Sequence, residues 1–171
     1  MRDDYRVRQL RRELRKLLPH HKDDVDAVAR LKSVGYPSIE PILFDMLKWI
    51  RQPTWPVCKP MAALLVQIGS PLVPYIQQAF RTHDESWAAQ VIREVLEHWP
   101  GEAFSVLYAH IEQQAIHANY GADLEALSLL IRKRLIKLED AHDILRSKRR
   151  FHEIQLSHVA SIEALLAGPA V

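Results

Sequence analysis

The chain has 171 residues, 48% of them hydrophobic and 26% charged, with a formal net charge of +2. That composition belongs to an ordinary globular domain, long enough to bury roughly two-thirds of its unfolded surface without covalent help. It excludes a disulfide framework, since Cys58 stands alone, and no apolar run reaches the roughly 18 residues of a membrane-spanning helix.

The opening segment reads as an amphipathic helix, with Val7, Leu10, Leu14 and Leu17/Leu18 at helical spacing, arginines between them and Pro19 at its end. It lacks the apolar core of a secretory signal, and Asp3, Asp4 and Glu13 argue against a mitochondrial presequence, so a cytoplasmic protein is expected. Such a helix can lie on a membrane, fit a partner's groove or cover the open end of a helical stack. A second helix follows, capped by Asp23 or Asp24, striped by Val25, Val28 and Leu31, and closed at Gly35. A third starts near Ser38, with Pro41 in its first turns, and runs through Ile42, Leu43, Met46 and Leu47 to Ile50.

The plan then repeats. Ala27–Gly35 falls on Met61–Gly69 at a spacing of about 34 residues, with Leu31 over Leu65 and Val34 over Ile68. Thr54 is the expected N-cap of the helix ending at Gly69, and Pro60 is expected to delay its regular start. Pro71 and Pro74 introduce its partner, which reaches Phe80. A weaker third copy begins at Asp84, where Ser86-Trp87 answers Thr54-Trp55, and its returning helix is expected from Glu102 to about Ile116. Beyond Gly121 the period fades into helices expected at 123–135, 139–148 and 151–166. A period of this length marks stacked helical hairpins, none of which buries its apolar face alone. The expected fold is all-α: a short right-handed α-solenoid of HEAT-like hairpins, one domain over 1–171. Its repeat core spans about 22–116, with additional helices at the N-terminus and over about 122–167.

The stretch from Leu17 to about Trp99 resembles a small, mostly bacterial family known as domain of unknown function 5071, a HEAT-like or armadillo-type helical domain. The residues that carry the resemblance are Leu18-Pro19, Lys22-Asp23-Asp24, Ala27-Val28, Leu31-Lys32, Pro41-Ile42 and Leu47-Lys48-Trp49. Trp55-Pro56-Val57 with Pro60 is the most specific part, followed by Leu64-Leu65, Gly69, Pro74, Asp84 and Trp87. The resemblance implies a fold and transfers no activity.

For binding, the sequence points to Trp55, Pro56, Lys59 and Trp87. The two tryptophans open successive repeats, so they would stand in a row along one edge and offer aromatic anchors to another protein. The alternative is packing: both rings would fill the joint between repeats, and Lys59 would pair with a nearby acid. Charge is uneven: residues 1–22 carry eight Lys/Arg against three acids, 23–131 seven against thirteen, and 132–171 eight against five. Arg8, Arg11, Arg12 and Arg15, with Arg132, Arg134, Arg149 and Arg150, are the candidate phosphate contacts if the superhelix gathers them on one face. No catalytic, cofactor or metal site is expected. The nine histidines lack metal-ligand spacing, and there is no nucleophile elbow or phosphate-binding glycine loop. The leading expectation is a non-enzymatic protein-binding module, a bacterial adaptor or a toxin-neutralising immunity protein, present as a monomer or weak homodimer. The alternative is a nucleic-acid binder on the scaffold that a class of DNA glycosylases also uses.

Overall fold

In the computed structural model, which describes residues 2–100 and 104–167, every regular element among the described residues is a helix. Helix α1 covers Arg2–Arg15 and rests on a 3-10 turn at Glu40–Ile42. Its apolar stripe is divided. Leu14 is buried against the body, whereas Val7 and Leu10 are exposed.

The local signals for α2 (Val25–Val34) act as the sequence suggests. Asp24 Oδ1 accepts the N–H of Ala27 at 3.2 Å, and Gly35, at φ 69, donates its N–H to Leu31 O at 2.9 Å. That backbone angle is strained for any residue with a Cβ, which is why the helix stops at a glycine. Gly69 closes α4 (Cys58–Ile68) in the same way at φ 71. Helix α4 starts later than a Thr54 cap implies: Val57 is its N-cap, without a side-chain bond, and Pro60 lies in its first turn. A missing N–H costs nothing there, because first-turn donors have no partner within the helix.

The stretch from Ser38 to Ile50 is not one continuous helix. The 3-10 turn at Glu40–Ile42, α3 (Leu43–Leu47) and a second 3-10 turn at Lys48–Ile50 follow one another. Pro41 removes a donor at the start, and short 3-10 turns are the usual way to tighten a helix at its ends. The apolar positions keep their role despite the break: Ile39, Ile42, Leu43, Met46, Leu47 and Ile50 are all fully buried.

Helix α5 (Val73–Phe80) follows a 3-10 turn at Ser70–Leu72, and α6 (Glu85–Glu94) is capped by Asp84, whose Oδ1 accepts from Trp87 N at 2.9 Å. The expected helix start at Glu102 lies outside the described residues; α7 is regular over Tyr108–His117. Helix α8 spans Ala122–Arg132. The two further helices expected on either side of residue 150 are one, α9 (Leu138–Ala167). No proline or glycine interrupts Arg149–Phe151, so propensity carries the helix through.

Alternate helices touch: α2 packs on α4, α4 on α6 and α6 on α8, while α3 packs on α5 and α5 on α7. Among the described residues one apolar cluster joins these helices, from Leu14 to Ala141. Polar ties repeat at the sequence period. Lys59 reaches Glu94 across 35 residues, Arg93 reaches Glu125 across 32, and Arg132 reaches Glu97 across 35.

Candidate functional site

Trp55 follows Pro53 in a tight turn, where its N–H donates to Gln52 O at 3.1 Å and its carbonyl accepts from Cys58 N at 2.9 Å. The adjoining Val57 N–H donates to Lys22 O at 3.1 Å, tying this turn to the loop that leaves α1. The indole of Trp55 lies against that of Trp49, with ring centroids 5.7 Å apart and planes inclined at 54°. Both rings are half-buried. Together with Leu18, Asp45, Lys48, Arg51 and Gln52, they line a cleft of about 470 Å³.

Asp45 anchors the cationic side of this cleft. Its carboxylate is buried and accepts from Arg15 Nε at 2.8 Å, Arg11 Nη2 at 3.2 Å and Lys48 Nζ at 2.9 Å. Burial alone would push the acid up; the hydrogen bonds from Arg15 and Lys48, Lys48's charge and the bond from Arg11 reverse this and hold it down to about 2. Two of these cations come from α1, so the same contact that seats the N-terminal helix also sets the charge beside the tryptophans. Arg51 completes the rim. It bonds Asp84 and stacks over the Trp87 ring, 5.2 Å from the centroid.

The sequence-derived sites separate. Trp55 lines the cleft and Pro56 beside it is exposed. Trp87 does not share their edge: it is 3% exposed, its indole N–H donates to Leu47 O at 3.0 Å, and its ring meets Phe44 at 5.7 Å. It belongs to the packed interior because α6, unlike α4, begins only two residues before its tryptophan and turns the ring inward. Lys59 has an exposed side chain, but its ammonium donates to both oxygens of buried Glu94, at 2.8 and 2.7 Å. It is a tie between α4 and α6.

The arginine clusters are likewise divided. Arg11 and Arg15 converge on Asp45, and Arg132 holds Glu97 through Nε at 3.1 Å and Nη2 at 2.5 Å. Arg8, Arg12, Arg134, Arg149 and Arg150 are exposed. The first cluster rides on α1, which packs on Glu40–Ile42, and the last on α9, which packs on α8.

Three features escape a reading of the sequence. Trp49, Lys48, Arg51 and Asp45 sit in a helical segment that reads as plain core; the one signal was Leu47-Lys48-Trp49 within the family pattern. A second cleft, of about 290 Å³, is bordered by His83, Glu85, His110 and His117, but Glu85 is already accepting the N–H groups of Asn119 and Tyr120. Finally, Lys148 looks like one more cation in a surface run and is buried. Its ammonium donates to the carbonyl of Ala118 and lies 3.6 Å from Asp123, itself fully buried, with His152 at 3.7 Å.

These features define an all-α module whose aromatic cleft is rimmed by cations. The chain belongs to the family described as Domain of unknown function (DUF5071), whose model matches residues 17–128. The match extends past the Trp99 limit read from the sequence and ends inside α8, so it contains Leu18, Trp49 and Trp55 and leaves out α9. No curated protein matches the chain.

Proposed function

We propose that the chain is a non-enzymatic protein-binding module, built as a short right-handed HEAT-like solenoid, that holds another protein at the Trp49–Trp55 cleft. The contacts between alternate helices and the ties at 32 to 35 residues support the solenoid. The observation that carries the binding reading is the pair of tryptophans left half-exposed beside a cavity, while Trp87 and Trp99 are buried. Tryptophan is among the residues on which interface energy concentrates, and a ring already fixed by a neighbour loses little side-chain freedom on binding. An adaptor or a toxin-neutralising protein would use such a surface in the same way, by retaining or occluding its partner.

A photo-crosslinking residue at Gln52, on the cleft rim, tests this in cells that make the protein. The expected result is one protein adduct at position 52 that disappears with Trp55→Ala and is not formed from position 146 on α9. Adducts that form equally from both positions, or that ignore Trp55→Ala in a folded variant, refute the cleft as the interface.

A further inference from the structure

We infer that the occupant of this cleft is a short acidic peptide segment of the partner protein, with one aliphatic, prolyl or aromatic side chain against Trp49 and Trp55 and a carboxylate towards Lys48 and Arg51. The inference rests on the protein-binding reading and adds the chemistry of the ligand. It follows from the charge count. Three cations, Arg11, Arg15 and Lys48, surround the one carboxylate of Asp45, while Arg51 is matched by Asp84. This ion cluster therefore holds four cations against two acids, an excess of two positive charges, and Lys48 and Arg51 are its cations that line the cleft. Lys48 and Arg51 keep nearly half of their side-chain surface in solvent, so each retains room to meet a second acid.

The size and shape of the site favour a peptide over a nucleic acid. Rings inclined at 54° with centroids 5.7 Å apart fill one another and leave no parallel slot for a base; they offer an angled apolar wall instead. A cavity of about 470 Å³ accommodates a few residues of extended chain rather than a folded face. Two excess charges match one or two carboxylates, whereas nucleic-acid affinity comes from a track of neutralised phosphates. Carboxylate contacts to Lys and Arg supply direction, and the tryptophans supply the apolar anchor.

Panning a random dodecapeptide phage library over the whole chain, then titrating the enriched peptides by fluorescence polarisation, tests the assignment. Enriched sequences should join Asp or Glu to a neighbouring apolar residue. Gln52→Glu should weaken their binding by about fivefold and Gln52→Lys strengthen it by a similar factor, both fading at high salt. Gln52 is exposed and contributes only its backbone carbonyl to the turn, so neither change threatens the fold. Trp55→Ala should weaken binding by about thirtyfold or more, with Trp55→Phe in between should the alanine variant fail to fold. Enriched peptides that need Trp55 but carry no acid, and do not respond to charge at position 52, overturn this inference and leave the protein-binding reading intact. Peptides indifferent to Trp55, together with the absence of an adduct at position 52, overturn both. A twelve-residue oligothymidylate that displaces the peptides at physiological salt and binds more tightly overturns the inference in favour of single-stranded nucleic acid.

Discussion

Replacing Asp45 by Asn removes the carboxylate on which Arg11, Arg15 and Lys48 converge. The native acid sits at about 2 against an ordinary value of 3.8. A carboxylate depressed in the folded state contributes stability that is fully present above about pH 4 and is lost as pH falls through about 2. The whole interval is equivalent to roughly 2.4 kcal/mol, and solvent screening of three half-exposed cations reduces this to about 1–2 kcal/mol. For a domain of this size that is a fall of about 3–6 °C in Tm at pH 7. Urea titrations of both proteins at pH 7, 5, 4 and 3 provide the assay. Asp24, whose carboxyl is also lowered, first by the bond it accepts from the His20 N–H, titrates in both proteins, so the informative quantity is their difference. That difference should be constant from pH 7 to 5 and shrink by pH 3. Equal stability at pH 7, or a gap that does not narrow on acidification, refutes the account of Asp45 as the electrostatic seat of α1.

Three further outcomes are expected. Lys148→Ala leaves the fully buried Asp123 with its principal countercharge removed, at a cost of about 3–5 kcal/mol, and hydrogen exchange over 138–152 should accelerate more than exchange over α4; uniform acceleration would contradict a local role. Leu65→Ala deletes a fully buried side chain from the core and should lower unfolding free energy in urea by about 2–5 kcal/mol, whereas Leu166→Ala, on an exposed site, should change it by less than about 0.5. The Cys58 thiol is pushed up by burial, with Glu94 adding to the effect, so a thiol reagent at pH 8 should modify it in urea at least a hundredfold faster than in the native protein. Comparable rates in the two conditions would show that the pocket around Cys58 opens readily.

The helices were legible because their signals are local. Asp24, Gly35, Gly69 and Asp84 each act within four residues of their own position, and the apolar stripe of α6 needs only the helical period. Lys59 was legible as a tie because its partner lies one period away. For Trp87 the sequence left an exposed edge and a packed joint both open, and only the fold decides between them: equivalence in sequence to Trp55 does not fix ring direction when the two helices begin at different distances from their tryptophans. The cleft itself required Trp49 and Trp55 to be folded against one another at an angle across two turns, and its charge required α1 to deliver Arg11 and Arg15 from 30 to 34 residues away. Lys148 shows the same limit from the opposite side. Nothing in Arg146–Arg150 distinguishes the one cation that is buried.

The offset of 30 to 36 residues in nearly all the ties between helices also bears on how the chain is made. No side-chain hydrogen bond among the described residues spans more than the 40 residues between Leu47 and Trp87. The partners of each seam are therefore both present once about 35 more residues have been added, and the arginines that meet Asp45 precede it in the chain. Short closure distances favour fast folding and limit the time for which an apolar helix face waits in solvent. Each helix can thus settle on a surface that the preceding 30 to 40 residues have already provided.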